Sequence, residues 1–120
     1  MNLLDRPVWS SLSSSHAAMA LGGSLARRYQ PDINQFASAR DDDDASLEAL
    51  VSLLRPADPV FILQLPQIRI PRRTIVIKRA EGVQMVATRP ITLQAGSGEV
   101  MALGDRDAEE MLALATLTQP

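Results

Sequence analysis

The stretch DASLEALVSLLRP, residues 44–56, constrains the fold more than any other part of the chain. Its Leu47, Leu50, Val51 and Leu54 recur at i, i+3, i+4 and i+7, a spacing that lines one face of an α-helix. Asp44 or Ser46 is placed to cap the helix, nearby aspartates favour its positive end, and Pro56 and Pro59 end it. VFILQL (60–65) follows, a proline-bounded apolar run of the kind expected of a strand buried on both faces. A helix beside such a run argues for mixed α and β structure rather than a helical bundle.

The remaining elements are read around that pair. LDRPVWSSL offers Asp5 as an N-cap and Pro7 in the first turn of a short helix carrying Val8, Trp9 and Leu12. Met19 and Leu21 alternate with small residues before Gly22-Gly23, which predicts a strand, a turn and a second strand over Leu25 to Tyr29. PDINQFASARDDDD reads as a loop. TIVIKR (74–79) and VQMVATR (83–89) read as strands, with Gly82 supplying a hairpin or bulge between them. QAGSG (94–98) is a flexible joint, EVMAL a further strand, and Asp105 or Asp107 starts a terminal helix. Glu110 stands where the acidic half of a capping box belongs. The expected fold is α/β in the α+β sense, a mixed and mostly antiparallel sheet flanked by helices. Residues 1–94 form an N-terminal subdomain in this reading, and 95–120 a linker with one strand and one helix of another domain.

Bulk properties exclude several functions. At 120 residues the chain suits a single domain on a prior of ~100–200 residues each. A net charge of −2 and a pI near 5.3 give no overall field for nucleic acid or an anionic membrane. Trp9, Tyr29, Phe36 and Phe61 do not interleave with basic residues as a base-stacking surface requires. No run of ~18 apolar residues exists to span a membrane, and the N-terminus lacks the pattern of a secretory signal. The absence of cysteine removes disulfides, thiolate-bound zinc and thiol catalysis, and fits a reducing cytoplasm.

The candidate sites are few. His16 follows three serines, but a triad needs geometry that adjacent serines do not give, so a helix-end or core histidine is the favoured reading. Asp41 to Asp44 lack calcium-loop spacing and read as a solvated loop feeding a helix. Arg69, Arg72, Arg73, Lys78 and Arg79 form the densest basic patch; Arg72 and Arg73, with Arg27 and Arg28, are the candidates for contact with an anion. An edge protected by charge is the competing account of the patch. Neither Gly22-Gly23-Ser24 nor Gly96-Ser97-Gly98 completes a phosphate-binding motif. Met111, Leu114 and Leu117 recur at threefold spacing on the terminal helix and are the candidates for a partner interface.

Three separated segments carry a family resemblance: LDRPVWSSLSSSHAAMALGGSLARRYQPDINQFA, GVQMVA and MALGDRDAEEMLALATLTQP. In this order they resemble the N-terminal half of certain bacterial GNAT-superfamily N-acetyltransferases. The resemblance implies an N-terminal subdomain followed by the first strand and helix of a domain that moves acetyl from acetyl-CoA to an amine. In that family the coenzyme pyrophosphate lies on an [RQ]-x-x-G-x-[GA] loop at a helix N-terminus. The nearest string here, Arg79-Ala-Glu-Gly82-Val-Gln84, has glutamine where glycine or alanine is needed. No catalytic, cofactor-binding or metal-binding residue is therefore carried over. The chain is expected to be inactive alone, as a truncated product or one half of a split enzyme. Its expected partner is the missing C-terminal acetyltransferase half, or a second copy of itself.

Overall fold

The computed structural model describes residues 2–92, 96 and 98–119. The chain divides into two compact units, Met1–Glu81 and Gly82–Pro120. The division falls ahead of the expected QAGSG joint, of which Gln94, Ala95 and Ser97 lie outside the described residues.

The first unit is built on a three-stranded antiparallel sheet in the order β1 (Ala20–Gly22), β2 (Ala26–Tyr29), β3 (Ala37–Ala39). Helix α1 (Pro7–Leu12) precedes it and α2 (Asp44–Ser52) follows. This is the α+β arrangement of sheet and flanking helices that the sequence predicts. The Gly22-Gly23 signal marks the β1–β2 hairpin, in which Ala20 pairs with Tyr29 and Gly22 with Arg27. Gly22 has φ +112, and a Cβ there would lie 2.3 Å from the Ala26 carbonyl oxygen and 3.0 Å from Leu53 Cδ1. Gly22→Ala is therefore expected to lower stability by about 2 kcal/mol, measured by urea unfolding. A loss below about 0.5 kcal/mol would contradict the strained turn.

Strand periodicity assigns each helix its own face of the sheet. Ala26, Ala37 and Ala39 share one face and pack with Leu47 and Leu50 of α2, backed by Ala49, Leu53, Val60 and Ile62. Tyr29 lies on the other face with Val8 and Leu12 of α1, beside Met19, Ala20 and Phe36. Strand β3 was expected to be loop. Its sequence, Ala-Ser-Ala, has none of the β-branched bulk that advertises a strand, and the small side chains suit the close approach of α2.

The apolar run 60–65 is not a strand buried on both faces. It touches the sheet through one parallel bridge between Phe61 and Phe36, with Phe61 N–H donating to Gln35 O and Ala37 N–H to Phe61 O. Val60, Ile62 and Gln64 are half-buried while Phe61, Leu63 and Leu65 are exposed, so one face alone is covered. The expected strands over 74–79, 83–89 and 99–103 do not form. A β-branched stretch becomes a strand only when another backbone completes its hydrogen bonds, and no ladder is offered to these.

Asp5 does not cap α1; Arg6 occupies that position and the Asp5 carboxylate accepts from Asn2 N–H at 3.0 Å. Arg6 instead ties the helix start to the unit. It is buried and donates to Ala39 O and Gln64 Oε1, both at 3.2 Å, and to Asp42 Oδ1 at 2.6 Å.

In the second unit, a single turn of 3-10 helix (Asp105–Asp107) leads into α3 (Ala108–Thr118). Asp107 Oδ2 accepts from Gly104 N–H at 2.9 Å, so Asp107 rather than Glu110 closes the helix start. No hydrophobic residue of α3 is buried.

Candidate functional site

A cleft of about 240 Å³ lies between α2 and residues 69–73. Helix α2 contributes Asp44, Leu47, Glu48 and Val51, the i, i+3, i+4, i+7 stripe of one helical face. The opposite wall is Arg69, Ile70, Arg72 and Arg73. Arg69 anchors that wall, donating to Asp42 O and to Asp44 Oδ1, each at 2.6 Å. Beyond it the chain turns over Pro71–Thr74, closed by the Thr74 hydroxyl donating to Pro71 O at 2.6 Å. Arg73 sits in that turn at φ +63, a left-handed backbone uncommon for a residue other than glycine.

The charges of the cleft are unequally engaged. Asp44 and Arg69 neutralise one another, whereas Arg72, Arg73 and Glu48 have no ion-pair partner among the described residues. Arg72, Arg73 and Glu48 thus line the cleft together with the apolar Leu47, Val51 and Ile70. Arg72 and Arg73, which stand out in the sequence by the density of basic residues, both line this cleft. Glu48 and the apolar lining do not stand out, because nothing in the sequence says that residues 69–73 return to α2.

The other two candidate anion contacts lie elsewhere and are occupied. Arg28 is buried on the α2 face of the sheet, where Nη1 donates to Leu53 O at 3.2 Å and to Asp58 Oδ2 at 2.8 Å. Arg27, on the opposite face, donates to Leu12 O at 2.8 Å and Gly23 O at 3.0 Å, with its guanidinium 5.2 Å from the centre of the Trp9 ring. The structure therefore separates Arg27 and Arg28 from Arg72 and Arg73, and the four do not make one site.

The aspartate run is likewise distributed. Asp41 pairs with Arg40, Asp42 with Arg6 and Asp44 with Arg69. Among the described residues no group of three metal-ligating side chains converges. Asp41 has its pKa lowered from 3.8 to about 2, first by the Arg40 guanidinium, which donates to it at 2.7 Å, with the Asp43 N–H adding to this. A depressed carboxylate stabilises the fold above its unfolded pKa, and that contribution fades as pH falls from about 4 through about 2. Because the pair is partly exposed, Asp41→Asn is expected to cost under ~1 kcal/mol at pH 7 and markedly less at pH 2, where about half of the folded-state carboxyl is protonated. Urea unfolding at both pH values checks this; equal losses would contradict it.

His16 Nδ1 lies 2.6 Å from the Tyr29 hydroxyl, and the two rings meet edge to face with centroids 5.7 Å apart. Ser14 donates instead to the backbone carbonyl of Ser10 at 2.6 Å, and the half-buried His16 packs on Tyr29 at the edge of the α1 cluster.

On α3, Met111, Leu114 and Leu117 are exposed, as are Leu112 and, ahead of the helix, Val100, Met101 and Leu103. No helix among the described residues is long and apolar enough to cross a membrane.

By fold this is an α+β protein with a charged cleft along α2. Comparison of the sequence with protein-family models finds no match, and comparisons with curated proteins and with solved structures find none either.

Proposed function

We propose that the chain is the non-catalytic N-terminal portion of a GNAT-like N-acetyltransferase, inactive alone, whose complete protein transfers acetyl from acetyl-CoA to an amine. The reading rests on the three separated segments that resemble this family. The observation that favours a covering partner is the state of α3. That helix has 11 residues and buries none of its apolar side chains. Isolated helices shorter than ~12–15 residues are marginal in water, and most helical stability in proteins comes from packing an apolar face. An acetyltransferase core seated on Met111, Leu114 and Leu117 would supply that packing. The α2 cleft, at about 240 Å³, is too small to enclose a coenzyme.

Calorimetric titration of the chain with acetyl-CoA is expected to give no binding. Micromolar affinity for acetyl-CoA would overturn the reading. Leu114→Asp is expected to leave the stability of the first unit unchanged within ~0.5 kcal/mol, while abolishing association with any acetyltransferase half that binds the wild-type chain.

The same exposed face favours a second reading, a free-standing interaction protein that self-associates through α3. Sedimentation separates the two. A concentration-dependent dimer lost in Leu114→Asp supports self-association, and a monomer at high concentration rejects it.

A further inference from the structure

We propose that the cleft between α2 and the 69–73 wall binds a small apolar zwitterion, an α-amino acid of about leucine size. This inference does not rest on the acetyltransferase reading. Its argument is the charge left over once internal pairs are removed. Arg69 is consumed by Asp44 and the Asp42 carbonyl, which leaves Arg72, Arg73 and Glu48 without partners among the described residues. Two guanidinium groups suit a carboxylate, which they hold through charge-assisted hydrogen bonds. Glu48 suits the ammonium group and disfavours a second negative charge. Leu47, Val51 and Ile70 provide the apolar contact that inorganic phosphate could not use.

Size and backbone agree with this assignment. Pockets for drug-sized ligands run to roughly 300–1,000 Å³, so about 240 Å³ suits a single amino acid rather than a nucleotide. Arg73 keeps φ +63 although glycine or asparagine would hold that conformation with less strain. Strained backbone clusters at ligand sites, and Arg73 is the cleft residue that carries it.

The test is titration of the full chain with L-leucine, followed by backbone amide chemical shifts. Isovalerate (the carboxylate without the amine), isoamylamine (the amine without the carboxylate) and inorganic phosphate are run in parallel. The expected result is saturable shifts at residues 47–51 and 69–73 with a Kd of order 1 mM for leucine, and binding of each comparison ligand about tenfold weaker. Glu48→Gln should weaken leucine and strengthen isovalerate, an exchange of preference that a merely structural glutamate would not produce. Arg73→Gly should weaken leucine about tenfold while raising the melting temperature, because it removes the guanidinium and the strain together. The proposal is overturned if leucine shifts neither segment, if phosphate binds as tightly as leucine, or if Glu48→Gln leaves the order of ligands unchanged.

Discussion

Replacing Leu12 by alanine is expected to lower the unfolding free energy of the first unit by about 3 kcal/mol, within the ~2–5 kcal/mol seen when a fully buried leucine is truncated. Leu12 is 0% exposed and closes the cluster of Val8 and Tyr29 on the α1 face of the sheet. Its carbonyl also accepts from Arg27, so the end of α1 is fixed to β2 by backbone as well as by packing. The neighbours cannot collapse into the space without moving Tyr29, whose hydroxyl is held by His16. For a unit of 81 residues the whole stability is of order 4–12 kcal/mol, so such a loss is a large part of it. Urea unfolding should show a lower midpoint at unchanged slope. A loss below about 1 kcal/mol would mean that the α1 face is not a core.

Asp58→Ala is expected to cost nearly as much, about 2–3 kcal/mol, by leaving the buried Arg28 charge without its carboxylate. The Arg28 side chain is 3% exposed and that of Asp58 21%, so the pair is shielded on the arginine side and screened in part on the other. Arg28 Nε and Nη2 are buried without hydrogen-bond partners among the described residues, so the guanidinium is incompletely satisfied even when paired. The double variant Arg28→Met, Asp58→Ala should therefore recover most of the loss, since an apolar side chain of similar length needs no partner on the α2 face. If the double variant were as unstable as Asp58→Ala alone, the ion pair would not be the cause.

Some of this was legible in the residues and some was not, for physical reasons. The periodic leucines give α2, although Val51 serves the cleft and not the core. Gly22-Gly23 gives the hairpin because only glycine tolerates φ +112 at that turn. Strand β3 is hidden because its alanines and serine are chosen for closeness, which leaves no periodic hydrophobic signal. The opposite error affects 60–65, 74–79, 83–89 and 99–103, where strand-forming composition is present and a neighbouring ladder is not. Propensity describes what a segment can pair as, whereas pairing depends on backbone supplied from elsewhere. Arg28 stands out in the sequence only as a candidate anion contact beside Arg27, and nothing in its neighbours announces its burial. Period-two alternation puts it on the face of Ala26, under α2, and its counter-charge lies 30 residues away beyond two turns of chain. In the cleft, Arg72 and Arg73 stand out by charge density, while Glu48 gains its meaning only from the wall opposite.

The unpaired segments have a consequence for how the protein behaves at high concentration. The sheet itself is a poor template for growth: β1 is three residues long, and the start of β3 is covered by the bridge from Phe61. Ile75, Val76 and Ile77, by contrast, are exposed in a β-branched run without proline, the composition from which cross-β fibres nucleate. Arg72 and Arg73 stand on one side of that run and Lys78 and Arg79 on the other, so each copy that approaches in register meets its own positive charge. These flanking charges act as gatekeepers, and replacing Lys78 and Arg79 together by neutral residues is expected to open the run to fibre formation, read by thioflavin fluorescence.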